Sequence, residues 1–263
     1  VLEKNGELVK GKGFIIDDFT NHGIEFIKKN KNNPFFLYLP FNTPHSPMQV
    51  PDKFWNKFKD KQLTQKGTMS KNVNDKSLGT SRDKGTNHTK AALAMCENID
   101  WNVGRILKTL ESLNIDEKTI IVFLSDNGPN GHRWNGDMKG IKGSTDEGGV
   151  RSPMIINWKS VIPKGKVVNK IAAGIDLLPT LKDLAGIKVK PKNKLDGLSL
   201  KKLILEKNIA WDDRYIYNYW RGRLSLRSQD YRLDNNNNLY DMNLDPNQLK
   251  DISLNKKEVF DRM

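Results

Sequence analysis

Apolar residues along the chain switch between two periodicities, and the switches predict its elements. Residues 17–30, DDFTNHGIEFIKKN, open on carboxylates and close on lysines and an asparagine. Acidic groups favour the positive end of a helix dipole and basic groups the negative end, so this stretch predicts a short helix. The next run, Pro34-Phe35-Phe36-Leu37-Tyr38-Leu39-Pro40-Phe41, is almost continuously apolar and bounded by prolines. That is the pattern of a strand buried on both faces of a parallel-type sheet. From about His88 to Leu113, Ala92, Cys96, Ile99, Val103, Ile106, Leu110 and Leu113 recur at spacings of four and three, which lays an apolar stripe along a long helix. Thr119 to Ser125 (TIIVFLS) predicts a second buried strand, cut short by Asp126-Asn127-Gly128-Pro129, and Met154 to Trp158 a third. Asp176 to Ala185 reads as a helix stopped by Gly186. After about Leu205 the segments shorten: Arg214–Trp220, Leu224–Ser228, Tyr231–Asp234 and Leu239–Met242 are strand candidates, with asparagines 235–238 as a turn. The expected class is α/β. A central, mostly parallel sheet flanked by helices occupies residues 1–205, and a small antiparallel α+β subdomain occupies 206–263.

Composition narrows this picture. With 263 residues, 37% of them hydrophobic, the chain can bury one large core and a small satellite. No apolar run approaches the roughly 20 residues of a membrane-spanning helix, so no membrane span is expected. Cys96 is the single cysteine, which rules out an intrachain disulfide, and its place in the helical stripe predicts a buried structural thiol. The net charge of +13 would suit a polyanionic partner, but the lysines are dispersed among asparagines. No arginine-rich helix or aromatic RNA-binding signature accompanies them, so nucleic acid is not an expected partner. Residues 61–87 are polar and without periodicity, which predicts a long mobile insertion. The chain opens on Val1, in VLEKNGELVKGKG, and is expected to be a cropped piece of a longer protein.

The candidate chemistry lies where the second strand ends. Asp126 and Asn127 offer a carboxylate and an amide oxygen, hard ligands that suit Ca²⁺ or Mg²⁺, although Asp-Asn-Gly is also good turn chemistry. Downstream runs Met138-Lys139-Gly140-Ile141-Lys142-Gly143-Ser144-Thr145-Asp146-Glu147-Gly148-Gly149-Val150-Arg151-Ser152-Pro153. Its glycines let backbone approach a ligand, and Lys142 can present a point charge to an oxyanion. Glu147 and Arg151 are expected to brace this loop. Here the chain resembles the formylglycine-dependent, arylsulfatase-like sulfatases of the alkaline phosphatase superfamily. In that family a strand ends in Ser-Asp-Asn-Gly, Gly-x-Lys-Gly follows, and an acidic residue precedes Gly-Gly-Val-Arg-x-Pro. Pro34–Tyr38 leading to Pro44-His45-Ser46-Pro47 is similar to the family's strand and histidine loop. The likeness runs from about Phe14 to Gly186, with a weaker echo at Leu239–Met242 and Asp245-Pro246.

The resemblance implies an alkaline-phosphatase-like sheet, with Asp126 and Asn127 as metal ligands, usually for Ca²⁺. It also implies that Lys142 and His45 contact the sulfate and the leaving oxygen. A metal and a lysine stabilise charge on the sulfuryl oxygens, and an imidazole titrating near neutrality can protonate a departing alkoxide. His132 and Arg133, between the metal motif and Lys142, could reach a sugar hydroxyl or a second acidic group. His22 and His88 read as structural. The family's nucleophile, a Cys or Ser in Cys/Ser-x-Pro/Ala-x-Arg that becomes formylglycine, has no match here, since Cys96 is followed by Glu97-Asn98-Ile99. Formylglycine is therefore expected on a part of the protein outside this chain, and the chain alone is expected to be inactive. The implied substrate is a sulfated small molecule or, better, a polysaccharide, and the implied parent protein is exported. Two rivals remain: a phosphodiesterase or phosphonate monoester hydrolase of the same superfamily, and a non-catalytic polyanion-binding pseudoenzyme.

Overall fold

A computed structural model describes residues 2–63, 86–131, 133–206 and 209–263. Its contacts gather into two compact units, one from residues 1–64 and 76–120, the other mainly from 121–263. Most of the expected insertion at 61–87 lies outside the described residues.

In the first unit, β1 (Leu2–Lys4) and β2 (Glu7–Val9) form an antiparallel hairpin across Asn5-Gly6, both with positive φ. Helix α1 (Ile15–Asn30) carries Asp17 and Asp18 in its first turn and Lys28 and Lys29 in its last, as its charge pattern predicts. Ile16 and Ile27 anchor its buried face. It packs on the long helix α3 (Thr86–Ser112), and the seam between them is polar at its centre. The side-chain amides of Asn98 and Asn102 donate to the same Asp17 Oδ1, at 2.8 and 2.7 Å. The one-turn helix α2 (Asp52–Trp55) seats Phe54 against Trp101 of α3, ring centroids 5.9 Å apart.

Two expectations are corrected in this unit. Cys96 is exposed, because the buried face of α3 runs through Ala91, Ala94, Met95, Asn98 and Asn102, beside the all-apolar stripe. Asparagines can occupy a buried face when a partner takes their donors, and Asp17 does so. The run 34–41 is extended but joins no ladder among the described residues. Its alternate side chains point opposite ways. Phe35 meets Phe26 edge-on at 5.9 Å, and Leu37 and Leu39 lie against Gly23 of α1. Phe36 and Tyr38, on the other side, are 75% and 73% exposed, so burial is met on one face only.

In the second unit, β3 (Ile121–Leu124) pairs antiparallel with β4 (Met154–Asn157), Val122 opposite Ile156. The mostly parallel order expected of the central sheet is not carried by this pair, and Phe123, Leu124 and Ile155 keep an exposed side. Between the strands the chain makes a long loop containing the one-turn helix α4 (Glu147–Val150). Helix α5 (Leu177–Leu184) ends at Gly186, whose φ of 69° provides the left-handed stop, and α6 (Lys201–Leu205) follows. Four antiparallel strands complete the unit in sequential order: β5 (Ile216–Trp220), β6 (Arg223–Arg227), β7 (Tyr231–Leu233) and β8 (Leu239–Asp241). The turn into β8 is built by Asp234, whose Oδ1 accepts from the backbone of Asn236 and Asn238 at 2.8 and 3.0 Å. Helix α7 (Lys257–Arg262) closes the chain. No described helix is long and apolar enough to cross a membrane.

Candidate functional site

Strand β3 ends at Leu124, two residues before Asp126 and Asn127 begin the turn. Its end is tied down on both sides. Ser125 N donates to Pro153 O at 3.3 Å, and Ser152 Oγ donates to Ser125 O at 2.8 Å. Gly128 then passes against the Gly148-Gly149 pair, its N–H donating to Gly149 O at 3.0 Å. A β-carbon on Gly128 would stand 1.8 Å from Gly148 O, so no other residue fits this crossing. The glycines of both motifs are therefore one packing device. It holds the metal-motif turn against the start of α4.

The same loop brings in Lys142. Its backbone N–H donates to Pro129 O at 2.9 Å, which ties the lysine's backbone to the turn that follows Asp126 and Asn127. Lys142 is half-buried and Asp126 exposed, and Asn127 Nδ2 donates to Gly128 O at 2.7 Å, leaving Oδ1 as the amide's remaining acceptor. The Asp126 carboxylate has no hydrogen bond or ion pair among the described residues. A carboxylate and an amide oxygen with these freedoms suit a hard divalent cation. Two donors supply only part of the six to eight oxygens that Ca²⁺ takes, and no group of three or more His, Cys, Asp or Glu gathers among the described residues.

His45 belongs to the first unit. It sits between two cis prolyl bonds, Thr43–Pro44 and Ser46–Pro47, exposed, with its backbone N–H on Asn42 O at 3.2 Å. Nδ1 lies 2.8 Å from Ser46 O, so as the protonated nitrogen it donates there and leaves Nε2 outward. Arg133 is half-buried in the loop before Lys142, and its N–H donates to Gly131 O at 2.9 Å. His132 lies outside the described residues. Thus Asp126, Asn127, Lys142 and Arg133 share one stretch of the second unit, and His45 is carried by the other.

Glu147, the expected brace, is held by partners that the sequence pattern passes over. It is buried, and its Oε2 accepts from Arg232 at 2.7 and 3.1 Å and from Arg227 at 3.3 Å. Arg232, itself almost fully buried, also donates to Thr145 O at 2.8 Å. Burial by itself would raise the Glu147 carboxyl, but the Arg232 and Arg227 guanidinium groups overcome that and hold it below its ordinary value. Glu147 braces the loop as expected, while Arg151, exposed and 3.5 Å away, adds little. Gln248 reaches in as well, accepting from Glu147 N at 2.9 Å. Lys139, just upstream, binds Asp234 at 2.9 Å and Tyr240 Oη at 3.1 Å. Burial would lower the ammonium, but these partners and the Asp146 charge raise it well above its ordinary value. A polar cleft of about 270 Å³ opens here, lined by Lys139, Asp146, Arg223, Asp234, Asn235 and Asn236, and it does not include Asp126, Asn127 or Lys142. The signal available for these partners was a buried-type glutamate in a glycine-rich loop, which requires a cation, but nothing local said which one.

Comparison with known proteins identifies the pattern. Residues 3–187 match the family model described as sulfatase, and residues 142–261 match that of the C-terminal part of N-sulphoglucosamine sulphohydrolase. An uncharacterized sulfatase, YdeN of Escherichia coli, is 31% identical over 228 residues, 81% of this chain and 36% of that protein. The crystal structure of Ps i-CgsB in complex with k-i-k-neocarrahexaose superposes with a TM-score of 0.79 at 30% identity, covering 99% of this chain and 55% of that one. The phosphonate monoester hydrolase of Agrobacterium radiobacter shares the fold, with a TM-score of 0.66 at 21% identity over 92% of this chain and 57% of that one. The chain spans 32% to 43% of the length of the first curated relatives it matches. With the strand-end Asp-Asn-Gly, the Gly-x-Lys-Gly and the Glu-Gly-Gly-Val-Arg packed into one loop, and with the family model covering residues 3–187, this chain belongs to the sulfatase family.

Proposed function

We propose that this chain supplies one side of a site that hydrolyses sulfate esters, with carbohydrate sulfates as the substrate class. The observation that carries the reading is the bond from Lys142 N to Pro129 O, which ties the backbone of the lysine to the turn that follows the two oxygen donors. Asp126 and Asn127 are suited to hold a divalent cation, Ca²⁺ with Mg²⁺ as the alternative. When bound, that cation withdraws charge from the sulfuryl oxygens. Lys142 adds a second positive charge toward the ester, and the outward Nε2 of His45 can deliver a proton to the leaving oxygen. The attacking group in this reading is a formylglycine that this chain does not contain. Residues 1–205 act as part of the catalytic domain, and 206–263 as a subdomain that braces the Lys142 loop. Arg133 and His132 are assigned to the sugar. The hexaose bound in the Ps i-CgsB structure supports a saccharide substrate.

The test is sulfate release by the complete protein carrying Cys-x-Pro-x-Arg, after formylglycine installation, from an aryl sulfate and a sulfated oligosaccharide. Turnover of both is expected, and loss of activity on chelation of divalent cations. If phosphonate or phosphate esters turn over faster than sulfates, the phosphonate hydrolase reading replaces this one. Binding of sulfated glycans without any turnover would leave a polyanion-binding pseudoenzyme.

A further inference from the structure

The tip of the β5–β6 hairpin reaches the Lys142 loop, and its composition is unlike a solvent-facing turn. Arg223 Nη1 donates to Gly143 O at 3.2 Å, on the residue that follows Lys142. Gly143 has φ +89°, and a β-carbon placed on it would stand 3.8 Å from Trp220 Nε1. Trp220 itself is half exposed. The two-residue turn is Arg221-Gly222, with φ of 47° and 82°, between the paired Trp220 and Arg223. Such turns favour Asn or Gly at the first position, because a β-carbon crowds the left-handed region. An arginine held there is an outlier that points toward function rather than toward turn stability. Its guanidinium lies 5.4 Å from the Trp220 ring centre. Neither Arg221 nor Arg223 has a carboxylate partner among the described residues, whereas Arg227 and Arg232 of the same sheet are taken by Glu147 of α4. Arg223 also lines the polar cleft with Asn235 and Asn236.

We infer that this hairpin tip is a substrate-recognition site for a second sugar of a sulfated glycan, adjacent to the sugar that carries the scissile ester, an inference that rests on the sulfatase reading. Trp220 takes the C–H-rich face of the ring, as indoles do for flat amphipathic groups. Arg221 and Arg223 take an anionic substituent on that sugar through paired N–H donors, for which a planar guanidinium is suited. Asn235 and Asn236 are placed to meet its hydroxyls.

The experiment compares three substrates with the complete, formylglycine-bearing protein: an aryl sulfate, a disaccharide bearing one sulfate, and the same disaccharide with a second anionic group, in one arm a sulfate and in another a carboxylate. The variants are Trp220→Ala, Arg223→Gln and Arg221→Asn, the last suited to the turn and so retaining the hairpin. The expected result is that the ratio of kcat/KM for the doubly anionic disaccharide to that for the aryl sulfate falls at least about tenfold in each variant, mainly through KM. Whichever arm shows the fall identifies the anion. Equal losses on all substrates, or none, overturn the subsite while leaving the sulfatase reading intact. Calorimetric binding of the same disaccharides separates the other case: affinity that depends on Trp220 without sulfate release keeps the subsite and removes the sulfatase reading.

Discussion

The two loops that carry the expected site residues are fixed in opposite ways. Residues 126–151 are clamped from 80 to 101 positions away, by Arg227, Arg232 and Gln248 on Glu147 and by Asp234 on Lys139. The His45 loop is held by its own backbone, through Asn42 O and Ser46 O, and its histidine is exposed. Groups that must stabilise charge without reorganising gain from a rigid support, because the preorganisation is already in the folded protein. A group that passes a proton can tolerate more freedom. Under the roles proposed above, the rigid support would fall to Lys142 and the two oxygen donors, and the freedom to His45.

The contrast can be broken most severely at the clamp. Arg232→Met leaves Glu147 buried with its best partner gone, and removal of one member of a buried pair costs on the order of 3–5 kcal/mol. A large fall in Tm is expected, and an unchanged Tm would show that the clamp is ornamental. Gly128→Ala is expected to be comparably damaging, since its new methyl would lie 1.8 Å from Gly148 O, and a soluble, wild-type-like thermal melt would disprove the crossing. For catalysis, Lys142→Ala is expected to lower kcat by about a hundredfold or more in the complete protein while leaving Tm within a few degrees, a split between activity and stability that the clamp residues do not show. Acid sensitivity belongs to the clamp too. The Glu147 carboxyl is held below its ordinary value, so its contribution is present above the unfolded-state pKa and is lost as pH falls through the folded one. Denaturant melts from about pH 7 down to about pH 3 should show this loss in the wild type and a shallower one in a Glu147→Gln, Arg232→Met double variant. The smallest effect on stability is expected at the adjustable loop: His45→Ala should change stability by no more than about 0.5 kcal/mol, and a larger change would erase the contrast.

What the sequence made legible follows this same division. Local patterns succeeded: the charges at the ends of α1, the glycine after α5, the asparagine turn after Asp234 and all four C-terminal strands were readable because each depends on neighbours within a few positions. The motif glycines were expected to let backbone approach a ligand, and what the structure shows at Gly128 and Gly148 is instead backbone crossing backbone. Pairings across long separations were not readable. Nothing near Glu147 names Arg232, and nothing near Asp17 names Asn98 and Asn102, so the long helix was assigned a face that leaves Cys96 inside. The run 34–41 failed for a different reason. Hydrophobicity states that a side chain favours cover, and for Phe36 and Tyr38 no described element provides it.

The Asp17 contact has a further consequence for motion. One carboxylate oxygen receives two amides set one helical turn apart on α3, so α1 and α3 are indexed like a key with two teeth. A slide by a fraction of a turn breaks both bonds to Asp17 together, and only Asn102 keeps an acceptor within α3, at Asn98 O. Movement between these helices is therefore stepwise, and amide exchange along the seam should report one cooperative opening rather than a gradient of fraying.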